Sequence, residues 1–144
     1  MKQREPVSHI MTAEVYKVNL SDSLHKVKDI LEQKHVRHLP VVSNKKLVGI
    51  ISLTDILRIS FGATFGDEQK SADSAIFDML TLEQVMHHDP VTVHSKQAIK
   101  EVAEILTKEE FHALPVVDDG NLVGIVTTTD VIKYLLESYV YPSS

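Results

Sequence analysis

Two short segments of this chain carry residue types that could do chemistry. They are Gly49-Ile50-Ile51-Ser52-Leu53-Thr54-Asp55 and, 75 positions later, Gly124-Ile125-Val126-Thr127-Thr128-Thr129-Asp130. In each, an apolar run ends in a hydroxyl residue and a Thr-Asp pair follows, the pattern of a strand giving way to a helix N-terminus. Such a terminus offers unpaired N–H groups and the positive end of the helix dipole, and the hydroxyls of Ser52, Thr54, Thr127 and Thr129 supplement them toward a phosphate. Asp55 and Asp130 are short carboxylates able to accept two hydrogen bonds from neighbouring hydroxyls, as a ribose 2′,3′-diol presents. Together these groups suit a nucleotide. Ser, Thr and Asp are also the ordinary capping residues of a helix, so one copy alone would indicate only that a helix starts there. The recurrence directly after a Gly-apolar-apolar strand raises the weight of a ligand.

The elements that position these groups recur with them. Leu39-Pro40-Val41-Val42 and Leu47-Val48-Gly49-Ile50 return as Leu114-Pro115-Val116-Val117 and Leu122-Val123-Gly124-Ile125. Val7 to Leu57 aligns without a gap on Leu82 to Ile132, with about fifteen identities in about fifty positions. The chain is a duplicated domain. In each copy a short extended stretch (Val15 to Val18, Pro90 to Val93) leads to an amphipathic helix carrying Leu24, Val27, Ile30 and Leu31, or Ile99, Val102, Ala103, Ile105 and Leu106. Ser21 or Asp22 is the expected cap of the first and Ser95 of the second. Two apolar runs then flank a polar turn, Ser43-Asn44-Lys45-Lys46 or Asp118-Asp119-Gly120-Asn121, which predicts a hairpin. A closing helix runs from about Thr54 to Ser60 and from about Thr129 to Tyr139. The unit is strand, helix, strand, strand, helix. This divides the chain into a first domain over 1–60, a linker over 61–80 and a second domain over 81–144. Within the linker, Phe61 to Ser74 reads as a spacer, or else as a lid or partner-docking loop, and its Phe61 and Phe65 could fold back on the body. Tyr134, Leu135, Leu136, Tyr139, Val140 and Tyr141 read as a core and dimer surface.

Composition narrows the function classes. With 144 residues and 43% apolar content the chain suffices for one ordinary core. A net charge of −5 gives no basic face for a phosphate backbone, which argues against nucleic acid. There is no cysteine, hence neither a disulfide framework nor a thiolate zinc site. No apolar run approaches a membrane span and no apolar signal core follows Met1, so the expected compartment is the cytoplasm, with no membrane partner. His87-His88-Asp89 invites a metal reading. Adjacent side chains in extended backbone point to opposite sides, however, and no matching ligand pair is visible, so no metal is expected. Nothing resembles a nucleophile elbow or a triad, and neither the P-loop nor the dinucleotide fingerprint occurs.

The doubled pattern Leu-Pro-Val-Val, turn, Leu-Val-Gly-Ile, Ser/Thr-x-Thr-Asp resembles a tandem pair of CBS domains, named after cystathionine beta-synthase and also called a Bateman module. The resemblance covers about Val7 to Leu136. It implies an α/β (α+β) fold of two CBS half-domains, each a short sheet packed on two helices, related by a pseudo-twofold axis and frequently joined as a homodimer. It also implies a regulatory sensor rather than an enzyme. Such a module has no cofactor and binds an adenosyl compound of the AMP, ADP or ATP type as a regulatory ligand, passing its state to an effector protein. Carried over, Asp55 and Asp130 would hold ribose, with Ser52, Thr54, Thr127 and Thr129 near ribose or phosphate. Thr12, Val15 and Tyr16, with His87, Pro90 and Val91, would flank adenine. Arg37 and His38 in the first copy and His112 in the second would meet phosphate. Arg37 is the strongest of these, because its charge persists at any working pH and its fork matches phosphate oxygens. The contrast with His112-Ala113 predicts unequal sites. The rival from another class is a CBS-fold dimerisation scaffold that binds no ligand.

Overall fold

The computed structural model describes residues 4–60, 75–109 and 112–140. The spacer from Phe61 to Ser74 and Tyr141 lie outside the described residues. Two compact units are built, Tyr16–Pro90 and Met1–Val15 with Val91–Ser144, and their borders differ from those of the sequence repeats. The residues that start each copy pack in the unit that holds the other copy's hairpin.

In the first unit β1 (Val18–Asn19) precedes α1 (Leu24–Lys34), the hairpin strands β2 (His38–Ser43) and β3 (Lys46–Ser52), and α2 (Leu53–Ile59). The short helix α3 (Leu82–Val85) and β4 (His87–His88) complete it. Strand β1 lies parallel to β2, with Val18 opposite Val41, and β4 runs antiparallel to β3, with Gly49 opposite His88 and Ile50 opposite His87. The hairpin turns on Asn44 and Lys45, both left-handed at φ 49° and 71°. Positive φ at both central residues is the two-residue turn whose twist matches the strands it joins.

The second unit repeats this plan. A 3-10 turn, Val7–His9, precedes α4 (Ile99–Lys108), β5 (Ala113–Asp118), β6 (Asn121–Thr127) and α5 (Thr128–Val140). Its hairpin turns on Asp119 and Gly120 at φ 52° and 82°. Val93 bridges Val116 in parallel, as Val18 does Val41, and Thr12 bridges Ile125, as His87 pairs with Ile50. The N-terminal segment is tied down by Val7 N–H to Gln97 O at 2.8 Å, Ile99 N–H to Glu5 O at 2.8 Å and Tyr134 Oη–H to Glu5 Oε1 at 3.0 Å.

Both cores follow from the apolar spacing. The first gathers Val18, Val27, Leu31, Leu39, Val41, Ile51 and Ile56, with Leu82 and Met86. The second gathers Val93, Val102, Leu106, Leu114, Val116, Val126 and Val131 at the repeat-equivalent positions, with Val7 at the place of Leu82. Each fully buried side chain of this size stabilises by about 1.5–3 kcal/mol. The exchanged segments need a residue without Cβ beneath them. A Cβ on Gly49 would stand 2.6 Å from Met86 Sδ and 2.8 Å from His87 O, and one on Gly124 would stand 2.6 Å from Met11 Sδ and 2.9 Å from Thr12 O.

Two capping expectations are corrected. Ser23, not Ser21 or Asp22, caps α1, accepting from Lys26 N–H at 3.1 Å. Asp22 instead accepts from Asn19 N–H at 2.8 Å, and Ser21 donates to Asn19 Oδ1 at 3.0 Å, closing the turn before the helix. Ala98 occupies the N-cap of α4, while Ser95 donates its hydroxyl to Asp118 Oδ2 at 2.6 Å and its N–H to Oδ1 at 3.1 Å.

Candidate functional site

Both Ser/Thr-x-x-Asp segments sit where a central strand hands over to a helix, and both are capped by the same reciprocal bonds. At the β3–α2 junction Ser52 Oγ accepts from Asp55 N–H at 3.1 Å, and Asp55 Oδ2 accepts from Ser52 N–H at 2.8 Å. At the β6–α5 junction Thr127 Oγ1 accepts from Asp130 N–H at 3.2 Å. Asp130 Oδ2 there accepts from Thr127 N–H at 2.9 Å and from Thr127 Oγ1 at 3.1 Å. The capping role of these residues is therefore filled in each copy, leaving one carboxylate oxygen per site to account for.

Those remaining oxygens have different surroundings. Asp55 is 2% exposed, and its Oδ1 meets His87 Nε2 at 2.9 Å and Arg58 Nη1 at 3.3 Å. An oxygen with two lone pairs is filled by two donors. Asp130 is half-buried, and its Oδ1 has no hydrogen-bond partner among the described residues. The difference traces to two repeat-equivalent pairs. His87 corresponds to Thr12 and Arg58 to Lys133. Thr12 and Lys133 are exposed and make no side-chain bond among the described residues.

The adenine candidates divide between the units. Thr12 lies across β6 beside the Thr127–Asp130 junction, bonded by Thr12 N–H to Ile125 O at 2.8 Å and Ile125 N–H to Thr12 O at 2.9 Å. His87 lies across β3 beside the Ser52–Asp55 junction. Each junction thus receives the extended segment of the opposite copy, a pairing the repeat alignment does not specify. His87 has its ring on Asp55. Tyr16 is 50% exposed, with Lys34 Nζ 5.4 Å from its ring centroid, and Val91 is 44% exposed. Val15 and Pro90 are half-buried at the ends of their units.

The phosphate candidates sit at the same strand ends. Arg37 O accepts from Leu53 N–H at 2.8 Å and His38 is opposite Ser52, so both border the first junction. The Arg37 side chain is exposed and without an ion pair among the described residues. His112 O accepts from Thr128 N–H at 2.9 Å at the second junction, with its side chain exposed. Thr54 and Thr129 are exposed in the first turns of α2 and α5. Arg58 was not singled out by the sequence. The signal that could have found it is the break in repeat symmetry at Arg58/Lys133 and His87/Thr12. No cluster of metal-binding side chains occurs among the described residues. A shallow apolar depression of about 240 Å³ between α4 and α5, lined by Ile99, Ala103, Val131 and Leu135, includes none of these candidates.

This doubled strand-helix frame, with a capped Asp in each copy, defines a class that the comparisons with known proteins name. The chain belongs to the CBS domain family, which it matches over residues 7–62 and again over 82–137. It is similar to the CBS-pair protein CBSX2 from Arabidopsis thaliana, at TM-score 0.83 and 27% identity over 94% of this chain and 96% of that one. CBSX2 in complex with AMP superposes at TM-score 0.77, with 27% identity over 93% of this chain and 98% of that one. The CBS domain pair of protein MJ0100, in complex with 5′-methylthioadenosine and S-adenosyl-L-methionine, matches at TM-score 0.71 with 27% identity, covering 91% and 99%. Among curated relatives, the uncharacterized protein MJ1225 of Methanocaldococcus jannaschii is 29% identical over 92% of this chain. The chain spans 48% of that protein's length, about half of it.

Proposed function

We propose that this chain is a regulatory module without catalytic activity of its own, which binds an adenosyl ligand of the AMP, ADP or ATP type and signals its presence to an effector protein. The observation that carries this reading is Asp130, a helix-capping carboxylate with Oδ1 unpartnered among the described residues, next to the hydroxyls of Thr127 and Thr129 and the exposed segment at Thr12. In this reading Asp130 takes the ribose diol, Thr127, Thr129 and His112 lie toward phosphate, and Thr12, Val15 and Val91 line the adenine side. The first site uses Asp55 for ribose, Ser52, Thr54, Arg37 and His38 for phosphate, and Tyr16, His87 and Pro90 for adenine. The AMP, 5′-methylthioadenosine and S-adenosyl-L-methionine held by the CBS-pair relatives support the ligand class. Binding signals only through its differential affinity for two states of the protein.

The test is a thermal-shift titration with AMP, ATP, 5′-methylthioadenosine and S-adenosyl-L-methionine, repeated on Asp130→Ala and on the Asp55→Ala, Asp130→Ala double variant. A ligand at 100 times its dissociation constant stabilises by about 2.7 kcal/mol, a shift of several degrees. The shift is expected with at least one ligand, reduced in the single variant and absent in the double one.

A second reading, a cytoplasmic homodimeric scaffold that binds no ligand, has its own observation. Helix α5 exposes Ile132, Leu135, Leu136 and Tyr139, and α2 exposes Leu57 at the position equivalent to Ile132. A dimer in which no adenosyl compound changes the melting temperature supports the scaffold.

A further inference from the structure

We propose that His87 is a specificity-determining latch: its imidazole occupies the Asp55 oxygen that a ribose diol needs, closing the first site relative to the Asp130 site. The inference rests on the reading of Asp55 and Asp130 as ribose ligands and adds which of the two is available.

The two sites share one frame and differ at the latch position. Asp55 Oδ2 is committed to the cap by Ser52 N–H at 2.8 Å, and its Oδ1 holds His87 Nε2 at 2.9 Å and Arg58 Nη1 at 3.3 Å. Asp130 commits Oδ2 to its cap in the same way, but Thr12 and Lys133 stand where the first site has His87 and Arg58 and leave Oδ1 without a partner among the described residues. A ribose diol brings two O–H donors to the carboxylate, so at Asp55 Oδ1 it must displace both the imidazole and the Arg58 guanidinium, whereas at Asp130 it displaces no side chain of the described residues. The His87 side chain is 39% exposed against 2% for Asp55, so His87 is the partner with room to leave.

The imidazole holds the carboxylate through Nε2–H at 2.9 Å, a hydrogen bond to a charged acceptor. On α2, Arg58 shares the Asp55 Oδ1 with His87. His38 stands opposite Ser52 in the β2–β3 pairing, and the neighbouring His88 turns its Nε2 to Glu83 O at 2.9 Å. The Arg58 side chain is 66% exposed, so its ion pair with Asp55 yields to a ligand at little cost.

Exchange of the two equivalent residues tests this by calorimetric titration with AMP. In an Asp130→Ala background, where the Asp55 site is the one measured, His87→Thr is expected to tighten AMP binding by about tenfold, the scale of one hydrogen bond to a charged group. His87→Gln, which keeps a neutral donor, should restore the weaker binding. In an Asp55→Ala background, Thr12→His should weaken AMP at the Asp130 site. Unchanged affinity in His87→Thr, with AMP still bound at the Asp130 site, overturns the latch and leaves the ligand reading standing. Binding of AMP by no form of the protein, wild type and His87→Thr included, overturns both.

Discussion

Gly124→Ala probes the close approach on which the second unit depends. The added Cβ would lie 2.6 Å from Met11 Sδ and 2.9 Å from Thr12 O, against an ordinary contact of 3.4 Å or more. The Met11 thioether is flexible and can turn aside, but Thr12 O belongs to the backbone and must retreat by about 0.5 Å. That movement stretches the paired bonds Thr12 N–H to Ile125 O and Ile125 N–H to Thr12 O, now 2.8 and 2.9 Å, toward about 3.3–3.4 Å, past the range of a good N–H···O bond. A net contribution of about 1 kcal/mol per bond sets the loss at about 2 kcal/mol, within the usual 1–3 kcal/mol for overpacking. In a chain of this size that is a fall of about 4–8 °C in Tm. Equilibrium urea unfolding followed by circular dichroism measures it, and hydrogen exchange at Thr12 and Ile125 locates it. A loss under about 0.5 kcal/mol with both amides still protected would refute the argument that this glycine is required by the segment lying on it.

Two further outcomes follow from the hairpins. Lys45 adopts φ 71° where the second copy has Gly120 at φ 82°, so Lys45→Gly should stabilise the first unit by about 0.5–1 kcal/mol, read as a higher urea midpoint. The hydroxyl and N–H of Ser95, in that order of effect, hold the Asp118 carboxyl below its usual range, with smaller help from His94 and Lys96. A carboxyl depressed in the folded state contributes stability above its unfolded pKa and loses it as pH falls through the folded one. The stability gap between wild type and Asp118→Asn should therefore be flat above about pH 5 and shrink with acid below about pH 4, as measured by urea unfolding across pH.

The core residues were legible because apolar spacing repeats at equivalent positions, as at Val27 with Val102 and Leu39 with Leu114, but they fill two interiors where the sequence suggested a single shared one. The hairpins were legible from turn chemistry. The destination of the starting segments was not. Met11 and Met86 are identical and Val7 and Leu82 are both apolar, so either could cover either sheet as far as burial is concerned. The caps of α1 and α4 were misplaced because hydroxyl residues compete for the same turn. Ser23 won at one helix, and at the other Asp118, distant in sequence, drew Ser95 away. At the site, the capping pairs were readable from three-residue spacing, whereas the contact of Asp55 with His87 joins residues 32 apart and depends on the exchange.

That exchange bears on how a chain of this kind could arise. A single repeat on its own would present a sheet whose covering residues, the counterparts of Leu82 and Met86 or Val7 and Met11, belong to another copy. The simplest solution for one repeat is two molecules trading their leading segments, a symmetric association governed by concentration. Fusing two repeats end to end makes the trade internal, with an effective concentration set by the connecting segment rather than by expression level. Once internal, the two halves are free to diverge, since a substitution such as histidine for threonine then alters one site and spares its twin.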